Sequence, residues 1–403
     1  VGQFSVAQIG ALTDTQAPGL IPTQVAQFST TQIAAIKANT FAKLSTDVIA
    51  GLTTGASDSV DQIGALTALQ IGALTKDQIE NLQTPQVAAL TGKSLATLSS
   101  TQLNQMSTDQ VAAITAGQVI SLTATQITDM KVDLFGAISD SAFAAITATQ
   151  FKSVTGAQIA AMSETQAAAM TVSQIGTLSE EQANSLTAEQ LVKFDTQVKV
   201  EALKPALLAT LDGESQLAAM TPAQVAFFTK AQMTALSGDQ LSKMTTEQLA
   251  ELSTEQIGAI RITELPSLSE EQIASFDPAT QMSGFSTAQI KALSDTQVKA
   301  LTALQVKALS SSQISAIETD DLKAMSEEQI QALTTGADSS INQIQALTTT
   351  QFQALTVAQI AAMTDTQVAD IENKDLASLS GEQLNAMTAT QVAALTSVQT
   401  KAL

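Results

Sequence analysis

The chain has 403 residues, lacks cysteine, histidine, tryptophan and tyrosine, and carries a formal net charge of −20 at pH 7. Without cysteine or histidine it has no disulfide, no thiolate or imidazole metal site, and no thiol or imidazole catalyst. The negative charge argues against nucleic acid and anionic membrane surfaces as partners. No apolar run is long enough to span a bilayer, so we predict no membrane span.

An eight-residue unit, Leu-Thr/Ser-x-x-Gln-Ile/Val-x-Ala, repeats along almost the whole chain, and residues 66–73 are one copy of it. We number its positions 1 to 8 from the leucine. From Leu66 to Phe194 an apolar residue recurs at position 1 every eight residues without a slip. A short and strict period of this kind predicts a solenoid-like repeat protein.

Each octad has the sequence signature of a helix start. A Ser or Thr at position 2 and a Gln three residues later form the capping box, in which each side chain bonds the other residue's backbone N–H. The apolar residues at positions 1 and 6 then form the hydrophobic staple of the same motif. We therefore predict an all-α solenoid of very short capped helices, one for each octad, with positions 1 and 6 as its core.

Proline placement supports this prediction. Pro22, Pro205, Pro222 and Pro278 fall at position 3, in the first helical turn, where the missing N–H has no partner to lose. Pro18 and Pro266 fall at position 7, so we expect those two helices to be broken or shortened. The alternative fold is a β-solenoid, because Thr, Val and Ile also favour strands. The core spacing alternates between three and five residues, however, and a strand requires a period of two.

Longer units interrupt the octads. Nine-residue units begin at Phe194, Leu211 and Phe276, and fourteen-residue units begin at Leu52 and Leu333. The two fourteen-residue units contain related inserts, at 53–65 and 334–346, that both begin with Thr-Thr-Gly-Ala. The two inserts lie 281 residues apart, and a shift of that length aligns 4–122 with 285–403 without a gap. We predict one continuous solenoid with a first super-repeat at 1–284 and a partial second at 285–403. Because both ends keep the octad pattern, we expect a longer natural chain or end-to-end stacking of copies.

The inserts contain candidate metal ligands. Asp58, Asp61, Asp338 and Asn342 offer oxygen atoms, which calcium prefers. Their spacing differs from that of an EF-hand, and Thr-Thr-Gly-Ala is ordinary turn composition. We therefore favour loops at a corner of the solenoid, with no cofactor, over a calcium site.

The remaining candidates for acid–base catalysis are neighbouring carboxylates such as Asp320-Asp321 and Glu180-Glu181. Acids in a first helical turn interact favourably with the helix dipole, which explains both pairs without catalysis. The Ser and Thr hydroxyls have no base partner and are explained as caps. We predict that the protein is not an enzyme.

Residues 293–306, LSDTQVKALTALQV, resemble the Leu-Thr-x-x-Gln-Ile/Val-x-Ala tracts of very large secreted repeat proteins of proteobacteria, which are described as adhesin-like or calcium-binding exported proteins. The resemblance implies an extracellular or cell-surface protein. Together with the repeats, it leads us to hypothesise a structural protein whose main partner is itself, assembled into a filament, sheath or layer. The alternative is a stalk or binding module of a large secreted adhesin.

Overall fold

A computed structural model describes residues 3–56 and 60–403 of the chain. It divides into two compact units, Val1–Leu203 and Lys204–Leu403. Each unit is a solenoid of short α-helices, as predicted. Strands are absent from the described residues, apart from an isolated antiparallel bridge between Thr54 and Asp61. The super-repeat boundary after residue 284 rests on sequence similarity and stays a prediction.

The first unit contains helices of four to six residues. They are α1 (Val6–Gly10), α2 (Pro22–Val25), α3 (Thr30–Ala35), α4 (Ala38–Phe41), α5 (Thr46–Ala50), α6 (Ala68–Gly72), α7 (Lys76–Glu80), α8 (Thr84–Ala89), α9 (Gly92–Leu95), α10 (Ser100–Leu103), α11 (Thr108–Ala112), α12 (Ala116–Val119), α13 (Ala124–Asp129), α14 (Val132–Gly136), α15 (Asp140–Ala145), α16 (Ala148–Phe151), α17 (Gly156–Ala160), α18 (Glu164–Ala169), α19 (Val172–Ile175), α20 (Glu180–Asn184), α21 (Ala188–Val192) and α22 (Gln197–Ala202).

The second unit contains helices of the same length. They are α23 (Pro205–Leu208), α24 (Pro222–Ala226), α25 (Lys230–Ala235), α26 (Gly238–Lys243), α27 (Thr246–Ala250), α28 (Thr254–Ala259), α29 (Glu270–Ala274), α30 (Thr287–Lys291), α31 (Asp295–Ala300), α32 (Ala303–Ala308), α33 (Ser311–Ala316), α34 (Thr319–Ala324), α35 (Glu327–Gln331), α36 (Gln343–Ala346), α37 (Thr349–Ala354), α38 (Val357–Ala362), α39 (Asp365–Asp370), α40 (Asn373–Leu376), α41 (Gly381–Asn385), α42 (Ala389–Ala394) and α43 (Ser397–Ala402).

The helices stack with three to a coil. Within each unit, the helices that pack together come from octads that are three apart, such as α12 with α15 and α31 with α34. One coil of the regular stretches is therefore three octads long. Each short capped helix ends at or just before the next position 1, where the chain turns into the following side of the coil.

Positions 1 and 6 form the core, as predicted. In one coil of the first unit, Phe135, Phe143 and Phe151 all occupy position 6 and are fully buried. Phe143 contacts both of the others edge to face, with ring centroids 5.9 Å apart. The position-6 side chains of the three sides of a coil therefore meet in its interior, where the hydrophobic effect favours them.

The two irregular prolines shorten their helices, which confirms the prediction. Pro18 lies in a 3₁₀ turn at Ala17–Gly19, and Pro266 lies in a 3₁₀ turn at Leu265–Ser267. A proline at position 7 has no backbone N–H, so it cannot donate the hydrogen bond that would continue an α-helix. Ala17 and Leu265 are still buried at position 6, so the core continues through both turns.

Two of the nine-residue units absorb their extra residue at the cap. Asp occupies position 2 only in these three units, as Asp195, Asp212 and Asp277. In the second unit, Asp212 Oδ1 accepts the Ser215 N–H at 2.6 Å, and Asp277 Oδ1 accepts the Thr280 N–H at 2.7 Å. The glutamine then lies four residues after the cap and still reaches its backbone N–H. A longer capping side chain therefore accompanies the wider turn.

Candidate functional site

The repeated glutamine at position 5 joins successive coils. In the first unit, Gln158 Oε1 accepts the Thr155 N–H at 2.8 Å, and Thr155 Oγ1 accepts the Gln158 N–H at 3.2 Å, which completes the predicted capping box. The Nε2 of the same side chain donates to the carbonyl oxygens of Ile127 and Met130, both at 2.8 Å, in the preceding coil. We call this pair of bonds between coils a rung.

Rungs recur in both units at a constant register. In regular stretches the two acceptors lie 31 and 28 residues before the glutamine, as for Gln329 with Val298 and Leu301. Glutamines that form the same pair of bonds include Gln110, Gln118, Gln174, Gln190, Gln248, Gln256, Gln313, Gln383 and Gln399. The sequence pattern predicted the cap, and the structure adds that one buried amide serves the cap and the rung together.

The inserts leave the rungs intact. Gln62 accepts the Thr53 N–H at 3.2 Å and donates to Val25 and Phe28 at 2.8 Å each. Gln343 likewise accepts the Thr334 N–H at 2.9 Å and donates to Val306 and Leu309. The described residues of each insert thus form a loop between the cap and the glutamine.

The structure places the calcium candidates in local hydrogen bonds. Asp61 Oδ1 accepts the Gly64 N–H at 2.8 Å, Asp338 Oδ2 accepts the Thr335 hydroxyl at 2.6 Å, and Asn342 Oδ1 accepts the Gln345 N–H at 3.0 Å. Asp58 lies outside the described residues. In the part of the chain that the structure describes, no group of three or more Asp or Glu side chains is placed to hold a metal ion.

Six octads have a Lys, Arg or Glu at position 2 and no glutamine at position 5. We call them gap octads; their pairs of residues at positions 2 and 5 are Lys37 and Thr40, Lys131 and Leu134, Lys204 and Leu207, Arg261 and Glu264, Glu318 and Asp321, and Glu372 and Asp375. Sequence reasoning missed them as a group, although the joint loss of both capping residues is visible in the sequence.

In two gap octads other side chains form hydrogen bonds between coils. Arg261 Nη2 donates to the Leu236 carbonyl at 2.9 Å, and Asn104 Oδ1 accepts the Lys131 N–H at 2.9 Å. Shallow open grooves of about 420 to 530 Å³ lie beside Lys37, Lys131, Glu318 and Glu372. In four of the six gap octads, the surface therefore has a groove beside a charged residue at position 2.

The two predicted acid pairs differ in their surroundings. Glu180 and Glu181 lie in the first turn of α20, as predicted. Asp320 forms an ion pair with Lys323 at 2.9 Å and is exposed. Its neighbour Asp321 is buried at a rung position, and burial, followed by the charges of Glu318, Asp295 and Asp320, raises the pKa of its carboxyl to about 6.

The fold and the rungs define a helical repeat protein. Two segments, residues 279–311 and 368–403, match a family model described as the ALTTAQ repeat, so the chain is similar to that family over these segments. None of the curated proteins matches the chain. Among solved structures, the leucine-rich repeat-containing protein LegL7 from Legionella pneumophila is 16% identical over 66% of this chain and 79% of that chain, with a TM-score of 0.13. So low a score carries no argument.

Within the described residues, every helix is too short or too polar to cross a membrane.

Proposed function

We propose that this chain is a non-catalytic structural repeat protein of the cell exterior that assembles with copies of itself into a filament, sheath or layer. The rung carries the proposal. It has a direction, because the glutamine at a helix start donates to carbonyls of the preceding coil, as at Gln158 and Gln329.

A directional contact between like coils favours linear growth. Contacts of the head-to-tail kind form open filaments when their rotation does not close a ring. One side of every coil offers amide donors and the other offers carbonyl acceptors, so a coil from a second copy supplies the same groups as the next coil of the same chain. This supports self-assembly by continuation of the stack.

The repeated polar chemistry also supports a structural role. The hydroxyls at position 2 and the amides at position 5 are engaged in caps and rungs, as at Thr155 and Gln158.

The exterior placement rests on the resemblance to secreted repeat tracts and on the acidic, cysteine-free composition. Surface labelling of intact cells of the source organism, followed by immunodetection, tests it; a label confined to lysed cells contradicts it.

The alternative is a spacer, a stalk or binding module of a large secreted adhesin. The similarity of two segments to the ALTTAQ repeat fits a tract within a longer repeat protein equally well. A spacer predicts isolated rods of constant length, whereas a building block predicts ordered polymers.

Electron microscopy of the purified protein at micromolar concentration, together with sedimentation velocity, separates the two functions. The test variant is Val392→Lys, because this position-6 side chain is 52% exposed, whereas Val368, three octads earlier, is 1% exposed. The matched control is Val357→Lys, at an outward-facing position that is 47% exposed. We expect polymers from the wild type and the control, and loss of polymers from Val392→Lys, since a buried unpaired charge is costly.

Isolated rods from the wild type would contradict self-assembly and support the spacer. Equal polymers from both variants would show that assembly does not continue the stack at this surface.

A further inference from the structure

One gap octad, residues 260–267, holds the preceding coil through charged side chains. It has Arg261 at position 2 and Glu264 at position 5, where a regular octad has its cap and its rung glutamine. Arg261 Nη2 donates to the carbonyl oxygen of Leu236 at 2.9 Å. Leu236 lies 28 residues before position 5, which is the register of a rung acceptor. Arg261 therefore takes one of the two carbonyls that a glutamine would bind.

Glu264 bonds the same coil in the opposite sense. Its Oε2 accepts the backbone N–H of Gly238, 26 residues earlier, at 2.6 Å, whereas a rung glutamine donates to the preceding coil. Its Oε1 lies 3.2 Å from Arg261 Nη2, so the two side chains form an ion pair. We call these three contacts the clamp. The clamp holds residues 236–238, where α26 begins, and α26 packs against the 3₁₀ turn at Leu265–Ser267.

The clamp differs from a rung in its response to dissolved ions. A rung glutamine is a buried, uncharged amide, as at Gln248 and Gln272 on either side of this octad. The Arg261 side chain is 43% exposed and the Glu264 side chain 21% exposed, so salt reaches the ion pair and screens its attraction. The clamp should therefore weaken with ionic strength, and the rungs should not.

The close approach of the clamp depends on the missing side chain of Gly238. A Cβ atom at this residue would lie 2.2 Å from Ser267 Oγ and 2.9 Å from Glu264 Oε2. Glycine permits such an approach to the backbone, and any other residue would displace the two side chains. The geometry thus shows, independently of charge, that the clamp rests directly on the start of α26.

We propose that the clamp is a salt-sensitive joint between two coils of the second unit. At low ionic strength it holds α26 against the turn at Leu265–Ser267. At high ionic strength it loosens, while the amide rungs on either side persist.

The test is hydrogen exchange of the full-length protein in about 0.1 M and about 1 M sodium chloride, between which the screening length falls from about 10 Å to about 3 Å. Protection of residues 238–243 (α26) is compared with that of 246–250 (α27), which the rung of Gln248 holds. We expect wild type to lose about threefold in relative protection at the higher salt, the size expected for a partly exposed ion pair. Glu264→Gln, which removes the charge and restores the rung amide, should lose none.

Two further variants separate the clamp from general salt effects. The matched control is Glu255→Gln, which removes an exposed ion pair with Lys230, at 3.8 Å, between α25 and α28. It should keep the wild-type loss at 238–243. Gly238→Ala should lower the protection of α26 already at the lower salt, because its Cβ displaces the clamp, and should show no further loss at the higher salt.

Equal losses in wild type and Glu264→Gln would overturn the proposal, and so would a loss abolished by Glu255→Gln. If Glu264→Gln does not fold, as judged by circular dichroism, Arg261→Gln replaces it, since it also removes the ion pair. A loss of the wild-type size in Arg261→Gln would count against the joint in the same way.

Discussion

Asp370 holds the insert of the second unit from the neighbouring coil: its Oδ2 accepts the backbone N–H of Gly336, 34 residues earlier, at 3.0 Å. Its Oδ1 accepts the side-chain amide of Gln345, in the same insert, at 3.1 Å. We expect Asp370→Ala to increase proteolysis and hydrogen exchange in 336–345, because the loop loses two hydrogen bonds to a charged carboxylate. The helix content should stay unchanged. Asp365→Ala, in the first turn of the same helix, is the control and should not change the cleavage rate.

A rung glutamine should contribute more to the free energy of unfolding than a glutamine at the surface. Gln305 is fully buried, accepts the Thr302 N–H at 2.8 Å, and donates to Ile273 and Phe276 at 2.9 and 2.8 Å. Gln305→Leu should destabilise the protein by roughly 1–3 kcal/mol, since it leaves buried backbone groups without partners. Urea unfolding followed by circular dichroism measures this change. The exposed Gln353 is the control, and an equal effect of Gln353→Leu would contradict the role of the rung.

A rung position in the second unit holds an unsatisfied acceptor. Asp375 is fully buried, its Oδ1 accepts the Thr349 hydroxyl at 2.5 Å, and its Oδ2 has no hydrogen-bond partner. Because an orphaned buried acceptor is costly, we expect Asp375→Asn to raise the melting temperature and Thr349→Val to lower it. A lower melting temperature for Asp375→Asn would show that the carboxylate itself is required.

The Asp caps should make two turns acid-sensitive. Hydrogen bonds from the Thr280 side chain and backbone lower the pKa of Asp277. A carboxyl with a lowered folded pKa stabilises the fold above its unfolded value, and the contribution is lost as the pH falls through the folded value. The difference in melting temperature between wild type and Asp277→Ala should therefore be present at neutral pH and shrink in acid. Asp239→Ala, an exposed first-turn acid, provides the control; a constant difference for Asp277→Ala would refute the capping role.

Calcium should leave the protein unchanged. Asp338 and Asn342 accept hydrogen bonds within their insert, and among the described residues no group of three or more Asp or Glu side chains is placed to hold an ion. We expect the same melting temperature in calcium chloride and in a chelator, since a ligand stabilises only the state it binds. A rise that saturates with calcium, and that Asp338→Asn abolishes, would establish the site that we disfavour.

The octad determined the local structure by itself. Ser or Thr at position 2, Gln at position 5 and apolar residues at positions 1 and 6 specify a capped helix through contacts within one octad, so the helices and their core faces follow from the sequence. Pro18 and Pro266 likewise predicted shortened helices, because proline acts on its own turn. These interactions span only a few residues, so their partners are visible in the sequence.

Only the tertiary structure decided which carbonyl oxygens the glutamine amide donates to. Gln158 and its acceptors Ile127 and Met130 are separated by more than three octads, and this pairing requires a coil of three sides. The octad pattern is equally compatible with other numbers of sides, because each cap is satisfied within its own helix. The same holds for Asp321 and Asp375: the sequence shows acids in place of glutamine, and only the coil-on-coil packing makes these carboxyls buried groups at the junction between coils.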